Sequence, residues 1–484
     1  MKMLPLMLSA ALLLGCDRKP VDNPEPPVPV DGPVATVYTT SVAKERFAES
    51  TLPLGKPEDV HFYKVERSGE TFQEVDGFGL AITQASCYNL QTMPAEERTA
   101  FLTEIFSREK GLGSSLIRVC IGGSDFSMDE FTWCDEPGME NFAVHVLDEQ
   151  WLFPVLDQIF KINPDVKIIG SPWSCPRWMK MSDNGGSYDK WTAGRLNPAH
   201  YQEYADYFVR WIKEMEKRGY PIYAITLQNE PLNRGNSMSL YMTWEEQRDF
   251  IKQAVGPAFR TAGIKTKILL FDHNYNYDDI ASQQDYPIRI LEDAEAAQYV
   301  AGSAWHNYGG KVSTLDRMHS AFPDKEIYFT EASIGSWGYS FDGNLIGDFR
   351  DIFLGTLGRY GKGVTLWNLM LDDQGKPYRP GGCSTCFGAV TLSSTDHKTI
   401  TRNSHYYNVA HCSKVLQPGA VRLGTKGYES SGLTYQWYRN PDGSQALLLL
   451  NEGSSDAMVN FVTDKYSISC KVPAKAIQSI RWEE

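Results

Sequence analysis

Glu230 and Glu331 are the two residues of this chain whose type and placement could do chemistry together. Glu230 lies in Thr226-Leu227-Gln228-Asn229-Glu230-Pro231, and Glu331 in Phe329-Thr330-Glu331-Ala332-Ser333. They are 101 residues apart, and each closes a short apolar run. Two carboxyls facing one another across a cleft are what acetal hydrolysis requires. One gives a proton to the leaving oxygen, and the other attacks the anomeric carbon and holds it covalently until water arrives. A retaining reaction needs the pair about 5–5.5 Å apart. The acid has to stay protonated near neutral pH, which a negative carboxylate beside it encourages. Asn229, immediately before Glu230, is placed to hydrogen-bond a sugar 2-hydroxyl, a bond that strengthens in the transition state. Such chemistry implies no cofactor and no metal ion.

A scaffold must bring these two distant segments together. From about residue 72 to 370 strand-like and helix-like runs alternate. The strand candidates cover residues 72–83, 115–122, 166–174, 222–230, 267–274, 300–308, 326–333 and 363–369. Most are short and rich in Val, Ile and aromatics, as strands buried on both faces are. Between them, Tyr201, Tyr204, Phe208, Ile212 and Met215 recur at helical spacing with Gly219 as a stop. Thr243-Trp244-Glu245-Glu246 reads as a capping box that opens another helix. The alternation predicts a parallel sheet, and eight such units predict a (β/α)8 barrel. A doubly wound open sheet is the alternative, but no G-x-G-x-x-G follows any strand. Polar residues gather where the runs finish: Asn229-Glu230, Asp272-His273-Asn274, His306-Asn307-Tyr308, Glu331, Trp367-Asn368. The carboxyl ends of barrel strands form the active face. Glu230 and Glu331, on the fourth and seventh runs, would therefore meet across the mouth.

The rest of the chain reads as an address, a tether and a second domain. Residues 1–16, MKMLPLMLSAALLLGC, have one Lys before an apolar stretch too short to span a bilayer. The ending Leu13-Leu14-Gly15-Cys16 resembles a bacterial lipobox, which implies an exported lipoprotein of the cell envelope acylated at Cys16. Residues 17–33 hold six Pro in seventeen positions, an extended linker. Residues 34–70 have strand-like alternation, notably His61–Arg67, and are expected to pair with the C-terminal strands. The barrel is expected over 71–413. Residues 414–484, with runs at 433–440, 444–453 and 457–464 and a last one ending at Trp482, read as a small β-sandwich. Besides Cys16 there are eight Cys; Cys383 and Cys386 could be half a zinc site, but no second pair stands at suitable spacing. A disulfide or free buried thiols are expected instead. The net charge of −13 lacks the clustered Lys and Arg that phosphate neutralisation needs, which argues against nucleic acid or an anionic membrane surface as partner. With 12 Trp and 25 Tyr the chain is instead rich in flat rings suited to sugars.

Several motifs in order make the chain recognisable. They are Gly77-Phe78-Gly79 with Ala81 and Thr83, Arg118, Ser124-Asp125-Phe126-Ser127, and Ser171-Pro172-Trp173-Ser174 with Pro176 and Trp178-Met179-Lys180. Gln228-Asn229-Glu230-Pro231, His306-Asn307-Tyr308, Thr330-Glu331 and Trp367-Asn368 complete the set. Over about residues 60–484 the chain resembles family 30 of the glycoside hydrolases. The resemblance implies Glu230 as acid/base and Glu331 as nucleophile. It implies a sugar subsite of Arg118, Asp125, Trp173, Asn229, His306, Tyr308 and Trp367. In it the two Trp would offer flat faces to a pyranose, Asp125 would accept sugar hydroxyls, and Arg118 and Tyr308 would hold Glu331. Asp272 and His273 stand at the end of the fifth run without a fixed role. Trp133, Trp191 and Trp337 are loop aromatics, open to outer sugar subsites or to plain packing.

The resemblance implies retaining chemistry on a β-linked sugar. An exported, tethered, aromatic-rich chain suits polysaccharide harvesting, so a β-glucan is the expected substrate and an endo-β-1,6-glucanase the first reading. A β-glucosidase or glucosylceramidase-type exo enzyme is the second. A metal-dependent barrel hydrolase using Asp272, His273 and His306 would be silenced by EDTA. A glycan-binding lipoprotein with an inactive barrel would bind without hydrolysis, unchanged in Glu331→Gln.

Overall fold

The computed structural model describes residues 32–276 and 280–484. The leader, Cys16 and the stretch 17–31 lie outside the described residues. Eight parallel strands close into a barrel. In chain order they are β1 (Gly77–Ala81), β2 (Leu116–Cys120), β3 (Lys167–Ser171), β4 (Ile222–Thr226), β5 (Lys267–Asn274), β6 (Gly302–His306), β7 (Glu326–Glu331) and β8 (Gly361–Asn368). Each pairs with the next, and β8 returns to β1. The helix Tyr201–Lys217 buries Tyr201, Tyr204, Phe208, Ile212 and Met215 and ends just before Gly219, whose φ of 92° favours glycine. The helix Trp244–Phe250 starts on the expected capping box: Thr243 accepts from the Glu246 amide, and Glu246 from the Thr243 amide at 2.8 Å.

The pleat decides what fills the barrel. Leu116, Ile169, Ala224, Leu269, Ala304 and Tyr328 form its apolar middle layer. Side chains two positions on point the same way, and five strands place Arg118, Ser171, Thr226, His306 and Thr330 there. β5 takes three steps, from Leu269 to Asp272, because its register with β6 slips between Phe271 and His273. The slip is a bulge with φ of 73° at Phe271 and 62° at Asp272, and it turns Asp272 inward where a regular strand would turn it out. At the opposite end, Asp76 accepts from Lys167, Tyr223 and Tyr328, while Lys267 and Lys362 bind Glu326. The barrel therefore has a polar floor, an apolar waist and a polar mouth.

The first strand expected over 72–83 is in fact two. Lys64–Val75 pairs antiparallel with Ala420–Gly427 in the second domain, and only Gly77–Ala81 enters the barrel. The physical difference is burial: Gly77–Ala81 is buried throughout, while Lys64–Val75 is largely half-buried or exposed.

The second domain is a nine-stranded sheet that uses both ends of the described chain. Its order is Ala48–Pro53, Val34–Ser41, Ala476–Trp482, Gln445–Asn451, Leu433–Arg439, Ala420–Gly427, Lys64–Val75, Ala457–Val462 and Ser467–Val472. It folds over a core that includes Val37, Val65, Trp437, Leu447, Phe461 and Ile468, and Gly55 bridges Ser467 between the two edges. Alternation again divides the labour on Gln445–Asn451. Leu447 and Leu449 face the sandwich core, while Ala446, Leu448 and Leu450 belong to the larger core shared with the barrel.

Cys383 and Cys386 form a disulfide, while Cys87, Cys120, Cys134, Cys175, Cys412 and Cys470 are free and buried. Among the described residues no helix is long and apolar enough to cross a membrane.

Candidate active site

At the mouth, one guanidinium organises four side chains. Arg118 is fully buried on β2. Its Nη1 donates to Glu331 Oε2 at 2.6 Å, its Nη2 to Asn229 Oδ1 and Asp272 Oδ2 at 2.7 Å each, and its Nε to Ser171 Oγ at 3.1 Å. Tyr308 donates to the other Glu331 oxygen at 3.0 Å. Both Glu331 oxygens thus receive donors, the pattern a carboxylate accepts best. Burial pushes the Glu331 carboxyl up, His306 and Arg118 pull it down, and Glu230 adds to the push; the net direction is upward.

Glu331 is the last residue of β7, but Glu230 is not in a strand. β4 stops at Thr226, and Glu230 stands four residues further on, with φ 45°. The amides that would extend β4 are used elsewhere: Asn229 N–H donates to Pro172 O at 2.8 Å and Glu230 N–H to Asp272 O at 2.9 Å. Left-handed backbone costs about 1–3 kcal/mol per residue, and Glu230, Phe271 and Asp272 are three of the eleven non-glycine residues that adopt it among the described ones. Glu230 Oε2 accepts from Asn233 at 2.8 Å; its Oε1 lies 3.4 Å from His306 Nδ1 and 3.8 Å from His273 Nδ1.

Asp272 is the hub that the sequence left without a role. Besides Arg118 it meets His306 Nε2 at 3.0 Å, Thr226 Oγ1 at 2.7 Å and Thr330 Oγ1 at 2.6 Å, with no exposure at all. Burial alone would raise its carboxyl. The Arg118 guanidinium and His306 outweigh burial and hold it far below the usual carboxylate range. Burial likewise opposes charge on His306, but Glu331, Asp272 and Glu230 carry it up to about 9. Burial raises Glu230, yet the hydrogen bond from His306 and the charge of His273 and His306 bring it to about 2. His306 and Glu230 therefore share one proton, which rests on the imidazole. A buried carboxylate at a strand end must be paired, and that was the available signal for Asp272; its inward direction came only from the bulge.

Trp173 and Trp367 stack on one another, centroids 5.1 Å apart at 23°, with the Arg118 guanidinium 4.9 Å and 5.5 Å from the two rings. Asp125 sits in the loop after β2. Its carboxyl is pushed up to about 8, first by burial and then by Glu331 and Glu230. Among the described residues Asp125 Oδ1 and Trp173 Nε1 are buried without a hydrogen-bond partner, an unmet polar demand that a ligand hydroxyl would answer. The loop after β8 closes over Asp125: Arg379 N–H donates to Asp125 O at 2.7 Å, and a Cβ on Gly382 would stand 2.8 Å from Asp125 Cβ.

All nine expected site residues thus gather at this mouth. The loop aromatics divide. Trp133 is core, its indole donating to Asp148 at 2.7 Å; Trp191 is half-buried beside the Trp173 cluster; Trp337 is exposed. One atom each of Glu230, His273 and His306 lie within 4.8 Å of one another, the set here that could hold a metal ion. Asp272 does not belong to it and is paired with Arg118.

Residues 75–416 match the model of the glycosyl hydrolase family 30 TIM-barrel domain, and residues 419–480 that of the family 30 β-sandwich domain. An endo-1,6-β-D-glucanase of Trichoderma harzianum is 33% identical over 414 residues, 81% of this chain and 80% of its own. The lysosomal acid glucosylceramidase of Mus musculus is 29% identical over 406 residues, 80% and 76% of the two chains. A solved endo-β-1,6-glucanase superposes with a TM-score of 0.90 at 47% identity, covering 94% of this chain and all of that one.

Proposed function

The chain belongs to glycosyl hydrolase family 30, and on that footing we propose that it is a retaining endo-β-1,6-glucanase acting by double displacement. The likeness to the solved endo-β-1,6-glucanase over its whole length carries the substrate reading. The site chemistry fits a glucosyl ring. Glu331 attacks the anomeric carbon, with its charge held between Arg118 and Tyr308. Glu230 delivers the proton to the leaving oxygen, drawing it from His306, whose Nδ1 faces Glu230 Oε1. Arg118 fixes Asn229 Oδ1, so the amide nitrogen is the end left to donate to the sugar 2-hydroxyl. Trp173 and Trp367 underlie the ring, and Asp125 Oδ1 and Trp173 Nε1 take its hydroxyls.

The test is a product profile on linear β-1,6-glucan, β-1,3-glucan, xylan and glucosylceramide, with two variants beside the parent. Glu331→Ala loses nearly all turnover on every substrate. Glu230→Ala loses turnover mainly on glucan, because an activated aryl glucoside needs no acid. Equal loss on both kinds of substrate would overturn the roles. Glucosylceramide as the preferred substrate would replace the glucanase reading with the exo one. The ending Leu13-Leu14-Gly15-Cys16 supports a further proposal, a lipid anchor on Cys16 that holds the enzyme to the cell envelope; membrane partitioning of Cys16→Ala is its test.

A further inference from the structure

Trp337 is the exposed Trp among the described residues, at 58%, and stands six positions past Glu331. Its surroundings are built rather than loose. Ile334–Gly335 pairs antiparallel with Cys386–Phe387, Ser336 N–H donates to Thr385 O at 2.9 Å, and Cys383–Cys386 closes the partner segment with a disulfide. The six-membered edge of the indole rests over Gly335, where a Cβ would lie 2.0 Å from Cζ3. Only glycine leaves that seat open. The ribbon therefore fixes one edge of the ring and presents the remainder to solvent.

The ring also stands a short way along the chain from the cleft. Glu331 ends β7, Ala332 and Ser333 lie outside any strand, and the Ile334–Gly335 ribbon follows directly. Glu331 accepts from Tyr308, and Ser333 Oγ lies 3.1 Å from the same hydroxyl. Tyr308 is itself 45% exposed and fills the step between the carboxylate and the ribbon. Four residues span at most about 14 Å, so Gly335 lies within reach of an oligosaccharide whose cleaved unit is at Glu331.

We propose that Trp337 is the stacking platform of an outer subsite, binding a glucosyl ring of the chain beyond the one cleaved between Glu230 and Glu331. The assignment rests on the glucanase reading above. A flat ring held at one edge offers its face to the apolar C–H face of a pyranose, with little side-chain freedom left to lose. The platform accounts for action on chains rather than on single glucosides.

Wild type, Trp337→Ala and Trp337→Phe are compared on β-1,6-linked gluco-oligosaccharides and on β-glucosyl fluoride, which fills the cleaved position alone. The expected result is a fall in kcat/KM of about tenfold for Trp337→Ala on the oligosaccharides, equivalent to about 1.4 kcal/mol. The fluoride rate should stay within about twofold, and Trp337→Phe should recover most of the loss. An unchanged oligosaccharide rate, or an equal loss on both substrates, overturns the platform. A wild-type enzyme that hydrolyses the fluoride but no β-1,6-linked oligosaccharide overturns the glucanase reading instead, and the platform falls with it.

Discussion

The two ring nitrogens of His306 meet different acids. Nε2 faces Asp272, which Arg118 keeps ionised, so Nε2 carries hydrogen; Nδ1 faces Glu230. The proton between Nδ1 and Glu230 is the one the proposed acid must deliver, and it leaves as pH rises through about 9. In His306→Gln this reservoir is gone. Glu230 is then left with Asn233 and His273 as partners and Glu331 as a neighbouring charge, and carboxyl acids tuned by burial reach only about 6–7. The alkaline limb of kcat/KM is expected to move down from near pH 9 to that range, read from a pH–rate profile on β-1,6-glucan. An unmoved limb would mean that another group holds the proton. At this scale the types and placement of Glu230 and Glu331 marked a candidate carboxyl pair, and the family resemblance supplied their separate roles and those of Arg118 and Tyr308. Asp272 was not legible in the same way, because period-two alternation points it outward.

Elements decide such directions. The β5 bulge moves Asp272 into the barrel with two left-handed residues, and the early end of β4 leaves Glu230 on a turn instead of a ladder. Neither residue is a glycine, so no composition cue marks either position. Lys180 shows the same on a loop. It appeared only as part of a motif, yet its buried ammonium donates to the carbonyls of Trp191, Ala193 and Ser239 at 2.8 Å and of Lys190 at 3.1 Å. Burial lowers it to about 8, and the four carbonyl oxygens supply the hydrogen bonds that a buried ammonium needs. The Lys180→Met variant leaves those carbonyls without their donor and frees the loop bearing Trp191. A loss of about 3 kcal/mol or more is expected in urea unfolding. A loss below about 1 kcal/mol would show that the loop is held by other means.

At the scale of the molecule, the sandwich is joined to the barrel through the helix Ser404–Val415. His411 on that helix is buried and bonded at 2.8 Å to Ser479 Oγ on one side and Thr40 Oγ1 on the other. Burial lowers it to about 3, so it is a neutral pin linking three distant segments. Both Thr40 and Ser479 lie on sandwich strands, one from each end of the described chain, which ties the first described strand to the last. The first of these strands starts at Val34, eighteen residues beyond Cys16. The proposed lipid on Cys16 would thus hold the sandwich near a membrane. In cells, Cys16→Ala is expected to shift the enzyme from the membrane fraction to the soluble fraction with glucan turnover unchanged. Retention of Cys16→Ala in membranes would sink the anchor.

By itself the sequence determined the eight strand and helix units, the second β domain and the identity of the proposed reacting carboxyls. These follow from local quantities: hydrophobic period, capping residues, and the side-chain chemistry at the ends of apolar runs. The tertiary structure decided where the first run divides, which way Asp272 points, that Glu230 leaves its strand, and which loop aromatic stays in water. Each of those depends on register between segments far apart in the chain. A one-residue slip there reverses a side chain without changing the local pattern.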